Sequence, residues 1–350
     1  MTIKRSLFLA LSLLANSAAI LAAEDLAPLP SPMSNNAVTA VKVGGTTLVY
    51  SFMGLGPERS WNSVSNAAYA LNLKYNKWTT IRSAPGSGRL AAAAASARQQ
   101  IFLIGGFVPD QSGLQAIVPD LSVYDPVGLR WYRAPDLPTA VRDAVVGVAH
   151  DRYIYVVGGW AKGGPTNAVQ VYDVEAQRWL EATPLPGSPV FGHAGTIVGD
   201  SIIYIDGAKK NTAEGKPAYM LSDECWIGKL NKHDPKKIQW TKLPSHPGSP
   251  GYRIAAGASD HDMKAYFADG GNTVYDYSGV GSDGKPAEPL PQVFAFNLRS
   301  NAWEMISDKV TNPTMDHHAL IVTGDGLLVI GGMAAGPKVV ANTAVLPKAK

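Results

Sequence analysis

The chain has 350 residues but a single cysteine, Cys225, so no internal disulfide holds it and stability must come from packing. Charge is sparse, at 17% Asp, Glu, Lys and Arg, and nearly balanced, with a formal net charge of +3. No run of basic side chains marks a nucleic-acid ligand. After the first two dozen residues no apolar stretch of the length a membrane helix needs appears. With no cysteine near the start, a lipoprotein anchor is excluded as well. What the chain has in quantity is apolar residues, 46%, together with 35 glycines and 25 prolines, enough for a large core and many turns.

Residues 1–23 read as an export signal. Lys4 and Arg5 precede an apolar run from Leu7 to Leu14, and small residues (Ser17, Ala18, Ala19, Ala22, Ala23) follow. The expected mature protein, residues 24–350, is one domain with no membrane anchor, periplasmic or secreted.

The rest of the chain is internally periodic. Short apolar runs end in glycine at Gly105-Gly106, Gly158-Gly159, Gly270-Gly271 and Gly331-Gly332, with weaker versions at Gly54-Leu55-Gly56 and Asp206-Gly207, at steps of 48 to 64 residues. A tryptophan follows each of the first five, at Trp78, Trp131, Trp179, Trp240 and Trp303. Seven residues before it, four repeats carry an apolar residue and Asn or Asp (Leu71-Asn72, Tyr124-Asp125, Tyr172-Asp173, Phe296-Asn297). Runs such as Ile101 to Ile104 and Tyr153 to Val157 are short and apolar throughout, as a strand buried on both faces must be. These residues resemble the kelch repeat, which implies one four-stranded blade per unit and hence an all-β, six-bladed kelch-type β-propeller. The sixth unit lacks a tryptophan-bearing strand, and Leu26-Ala27-Pro28-Leu29-Pro30 looks like the exit from just such a strand. The ring is therefore expected to be closed by its N- and C-terminal segments.

In such a ring the residues leading into each innermost strand surround one mouth of the central channel. Here they are Arg89, Arg142-Asp143, His193, Tyr252-Arg253 and Asp316-His317-His318. One reading is a polar, net basic pocket in which arginine clamps a carboxylate. The other is that these arginines tie loops together, with Arg142 and Asp143 as an internal ion pair. A metal site is not expected at His317 and His318, because adjacent side chains on a strand face opposite ways. Two long segments, 208–222 and 272–289, bring Lys209, Glu214, Tyr219, Tyr275 and Tyr277 between second and third strands, and Trp160 lies in an equivalent connection. Aromatics beside charged groups suit a sugar ring.

The leader, the Pro-rich opening, the Gly54-Leu55-Gly56 turn, Arg142-Asp143 and His193 are together similar to the bacterial N-acetylneuraminate epimerases, or sialic acid mutarotases. That resemblance implies an isomerase that equilibrates the anomers of an acidic sugar by general acid–base chemistry, without metal or cofactor. The family uses a Glu after the fourth-blade turn and an Arg soon after it. This chain reads Asp206-Gly207-Ala208-Lys209-Lys210 there, leaving Asp206 and Glu214 as the candidate catalytic carboxylates. The alternative is a non-catalytic propeller presenting its loops to a glycan or a protein.

Overall fold

The structure, a computed structural model, describes residues 26–349. The predicted leader lies outside the described residues. Each repeat forms one antiparallel meander whose strands run outward from the axis. Blade one comprises Ala37–Val43, Thr46–Leu55, Val64–Asn72 and Lys77–Thr80; blade two Ala93–Ala97, Gln100–Ile104, Leu121–Asp125 and Arg130–Ala134. Blade three is Val145–Ala149, Tyr153–Val157, Val169–Asp173 and Arg178–Ala182; blade four Ala194–Val198, Ser201–Ile205, Cys225–Leu230 and Ile238–Leu243. Blade five is Ala255–Ser259, Lys264–Ala268, Val293–Asn297 and Ala302–Ser307, and a sixth, three-stranded sheet has Ile321–Val322, Leu327–Ile330 and Thr343–Leu346. The innermost strands pack each against the next all the way round, the sixth returning to the first.

The sequence builds this ring through a few repeated contacts. The second strands are buried on both faces, so their apolar runs fill the spaces between neighbouring sheets. Each outer tryptophan donates its indole N–H backward, to a carbonyl in the exit of the preceding blade: Trp131 to Arg82 at 2.9 Å, Trp179 to Pro135 and Trp303 to Pro244 at 2.8 Å. The second glycine of a turn points forward instead, Gly106 to the Val141 carbonyl and Gly159 to that of Val190, both at 3.0 Å. Sheets are thus stitched in both directions.

The same two stitches cross the seam between the sixth sheet and the first. Trp78 donates to the Ala27 carbonyl at 2.8 Å, and Gly332 donates to the Met33 carbonyl at 2.8 Å. Leu29 N–H bonds the Ala341 carbonyl, as Leu137 and Leu185 bond Pro119 and Asn167 in blades two and three. The opening segment therefore sits where the exit of a sixth-blade outer strand belongs, with Leu29 and Met33 buried against Val49, Leu71 and Ile330. The sheet itself has three strands among the described residues, so the expected completion of the sixth blade is seen for its exit.

Backbone angles refine the repeat register. The two left-handed residues after the second strand are Gly105-Gly106, Gly158-Gly159, Gly331-Gly332, Asp206-Gly207 and Asp269-Gly270, while in blade one the equivalent Met53-Gly54 form a bulge inside the longer second strand. In blades one and five the left-handed pair thus starts one residue or more before the glycine pairs apparent in the sequence. Glycine is required at the second position: a Cβ on Gly106 would lie 2.7 Å from the Leu90 carbonyl oxygen.

Candidate functional site

Just ahead of each innermost strand one residue adopts a left-handed backbone: Asn35, Ala91, Asp143, Gly192, Arg253 and Asp316, with φ between 52° and 73°. For five L-residues to hold this conformation the surroundings must over-determine it. A circle of hydrogen bonds around the axis does so. Asp143 N–H bonds the Ala91 carbonyl, Gly192 that of Asp143, Arg253 that of Gly192 and His317 that of Arg253, at 2.8 to 3.2 Å. Asn35 N–H bonds the Asp316 carbonyl at 3.0 Å, and its side-chain oxygen receives the Ala91 N–H, which closes the circle.

Side chains on this circle form a buried ion network. Arg253 donates Nε to Asp143 at 2.8 Å and Nη1 to Asp316 at 2.7 Å. Asp316 also accepts from Asn35 Nδ2 at 2.7 Å, and Arg142 reaches the second Asp143 oxygen at 2.6 Å. Burial works to raise the Asp143 carboxyl, but Arg253, Arg142 and His318 outweigh it and hold the group at about 2. Asp143 is therefore ionised and fully paired. Arg253, expected to clamp a ligand carboxylate, has two of its edges taken by the protein's own carboxylates. Its guanidinium is roofed by Tyr252, at 4.9 Å from the ring centre, and by Tyr275 at 5.5 Å.

Beside that roof lies a cavity of about 320 Å³. Its walls are largely aromatic (Phe107, Trp160, Phe191, Tyr219, Tyr275, Tyr277), with Arg142, Arg253, Gln115 and Asp276 among them. Blades two to five all contribute. Both long segments supply wall residues, Ala218 and Tyr219 from one and Val274 to Tyr277 with Val280 to Ser282 from the other. Trp160 meets Phe191 and Tyr219 edge to face, at 4.9 and 5.2 Å. The Arg142 guanidinium lies 4.8 Å from the Phe107 ring and 4.9 Å from the Trp160 ring. Its Nε, like the Tyr275 hydroxyl, is buried with no hydrogen-bond partner among the described residues. A cavity of this size, with apolar rings and a few convergent polar groups, has the make-up of a small-molecule site.

The model of the KLHDC2/KLHL20/DRC7 Kelch-repeats domain matches residues 37–271. The chain belongs to the kelch-repeat family. Its curated relatives include Kelch-like protein terF of Aspergillus terreus, 26% identical over 65% of this chain, of which the match spans 47%. N-acetylneuraminate epimerases of Haemophilus influenzae and Escherichia coli are 22% and 24% identical, over 88% and 87% of this chain and 88% of each relative. The solved structure of YjhT superposes with a TM-score of 0.71 at 20% identity, covering 91% of this chain and 95% of that one, a likeness of fold.

Within this kelch propeller, Arg142, Trp160, Tyr252 and Arg253 line the cavity, and Asp143 stands directly behind the two arginines. Other expected residues do not line it. Arg89 is buried and donates to the Gly105 carbonyl of its own blade at 2.9 Å, which is the loop-tying alternative. His193 is pressed between the Gly158 and Gly207 turns, and burial lowers it to about 4, so it is neutral. His317 is likewise lowered to about 4 by burial and meets the Thr314 hydroxyl at 2.9 Å. His318 lies close enough to Asp143, Arg253 and Asp316 to share their field, with its own charge disfavoured first by burial. Glu214 is exposed in its loop, and Asp206 turns into the blade interior.

Asp206 has a partner that spacing gave no sign of. His246, in the exit of blade four, donates Nε2 to both its oxygens at 3.0 and 3.1 Å, and Gly251 N–H adds a third bond at 2.9 Å. With Cys225 these residues form a trio of metal-ligand types whose donor atoms lie within 4.8 Å. Gly248 N–H, however, donates to His246 Nδ1 at 3.1 Å, which places the imidazole proton on Nε2, facing Asp206. The atoms satisfy one another as a hydrogen-bonded pair. Phe107 and Phe191, which wall the cavity, were equally invisible as site residues; their only sequence signal is a place beside the glycine turn or at a blade's lead-in.

Proposed function

We propose that the protein is an exported kelch propeller that binds an acidic or hydroxylated sugar in the cavity at the channel mouth. The observation that carries this reading is Arg142: a wall residue of a cavity of monosaccharide size, close to the Phe107 and Trp160 rings and paired to Asp143 through Nη1, it has a buried Nε donor with no partner among the described residues. A carboxylate is the natural acceptor for such a donor, and the surrounding rings offer faces to a sugar. The leader and the nearly full-length similarity to the epimerases support export and an acidic sugar. Among the described residues no helix is long and apolar enough to cross a membrane.

The finer reading is exchange of that sugar's anomers. It needs a carboxylate at the ring oxygen, and Asp276 is the one on the cavity wall, in place of Asp206 and Glu214. A specific observation favours plain binding instead: Asp276 Oδ1 is already committed to the Ser278 N–H and hydroxyl, at 2.8 and 2.5 Å. One NMR experiment separates the readings. A freshly dissolved single anomer of N-acetylneuraminate is followed to equilibrium with wild type, Asp276→Asn and Arg142→Ala, and binding is measured by saturation transfer. Acceleration that Asp276→Asn abolishes supports the isomerase; binding without acceleration supports the glycan-binding propeller. Arg142→Ala is expected to weaken binding of the acid at least tenfold, roughly the loss of one charge-assisted hydrogen bond. Equal affinity in that variant would remove the proposal.

A further inference from the structure

One wall of the cavity belongs to no blade. Residues 272–289 leave blade five after its second strand and form a small folded arm of their own, with Asp276 N–H bonded to the Val280 carbonyl, Gly281 to Lys285 and Ala287 to Gly279, at 2.8 to 3.0 Å. The arm spans the mouth and is fastened on the far side. Arg59, in the connection of blade one, donates Nη1 to the Ser278 carbonyl at 2.8 Å. Next to it Gly279 sits so close to the sixth blade that an added Cβ would lie 2.5 Å from Pro337 Cβ. Chain segments from three blades thus meet at the arm's tip.

At its root the arm carries Tyr275. The ring is 4% exposed, packs edge to face on Tyr252 at 5.1 Å and roofs Arg253. Its hydroxyl is buried without a partner among the described residues although Tyr275 lines the cavity. A buried hydroxyl is disfavoured unless something bonds it, and the cavity is where a bonding group can arrive.

Resting on the sugar-binding reading, we propose that the arm is a latched part of the ligand site: Tyr275 gives its hydroxyl to a ligand oxygen while Arg142 receives the carboxylate, and the Arg59 to Ser278 bond is the latch that holds Tyr275 in place. Arg59 is a positioning residue, acting on the ligand only through the arm. The ligand class is a sugar acid bearing a hydroxyl on the side away from its carboxylate.

Two measurements test this, and they fail separately. Hydrogen exchange on the ligand-free protein needs no sugar: Arg59→Ala should speed exchange at Gly281 and Ala287 about tenfold and leave the blade strands unchanged. Unaltered exchange in the arm overturns the latch. Calorimetric titration then compares N-acetylneuraminate, glucuronate and neutral N-acetylmannosamine. Tyr275→Phe should weaken all three about five- to tenfold, the usual worth of one hydrogen bond, with an unchanged melting temperature. Arg59→Ala should weaken them by a smaller factor, and the double variant should bind no worse than Tyr275→Phe alone. Unchanged affinity in Tyr275→Phe, or additive losses in the double variant, overturns the contact. A wild type that binds none of the sugars overturns the cavity reading and the contact with it, while the exchange data still decide the latch.

Discussion

Two circles of left-handed residues run round this propeller, one leading into the innermost strands and one leaving the second strands, and each carries two aspartates. On the first circle Asp143 and Asp316 face Arg253, and Asp143 is pinned at about 2. On the second, Asp206 and Asp269 have no arginine: one meets His246 and the other only Thr314, and burial pushes Asp269 up to about 7. The backbone demand is the same at both circles, since Asp tolerates positive φ better than most residues. What differs is the neighbour that the fold supplies. Position in the repeat fixes where a carboxylate sits; the partner decides whether it carries charge.

The largest effect should come from taking away the partner on the first circle. Arg253→Ala leaves buried Asp143 with Arg142 alone and buried Asp316 with Asn35 alone, and losing one member of a buried ion pair costs about 3–5 kcal/mol. Urea unfolding should show a midpoint far below that of wild type, or no folded protein. Arg89→Ala, which removes a buried arginine that bonds only a backbone carbonyl, should cost markedly less. Equal losses would show that the network around Arg253 has no special weight.

The second circle invites a repair. In blade three a Leu185 methyl would be 3.1 Å from a Cβ on Gly158, and at the seam Leu29 stands in the same relation to Gly331, at 3.3 Å. Blade four holds Asp206 and His246 in those two places. His246→Leu alone leaves the buried carboxylate with one backbone bond and should cost about 1–3 kcal/mol. Adding Asp206→Gly restores the pairing of the neighbouring blades, and the double variant should unfold within about 1 kcal/mol of wild type, a coupling of opposite sign to the single loss. Additive losses would mean that the two residues do not compensate one another.

Much of this was legible in sequence and some was not, for physical reasons. Runs such as Ile101 to Ile104 announce strands buried on two faces, and the tryptophans mark outer strands because each must reach one carbonyl of the blade before it. Even the seam could be read, since Leu26 to Pro30 repeats the chemistry of the other exits. The direction of the lead-in side chains could not. Arg89 lies two places before the left-handed Ala91 and Arg142 one place before the left-handed Asp143, so Arg89 turns to its own glycine turn while Arg142, one place further along the repeat, reaches the cavity. Pairs such as Asp206 and His246, forty residues apart at the turn and the exit of one blade, need the folded blade to bring them together.

The smallest effect at mildly acid pH, and the one that sharpens the comparison most, is Asp269→Asn. At pH 4 the wild-type group is protonated in the fold and about half protonated when unfolded, so the amide replaces a neutral acid of the same shape and stability should change by less than about 1 kcal/mol. The two circles then respond to pH with opposite signs. A carboxyl raised to about 7 in the fold but near 3.9 when unfolded binds more protons native than unfolded in between, so its contribution falls as pH rises through that window. Asp143, lowered to about 2, contributes fully above the unfolded value and is lost only as pH drops toward 2. Between pH 5 and 8 Asp269→Asn should therefore gain on wild type, by on the order of 2–4 kcal/mol, while the acid limb below pH 4 stays where Asp143 sets it. Parallel stability curves for the two proteins across pH 5 to 8 would show that Asp269 is ionised in the fold and that the second circle differs from the first in geometry alone.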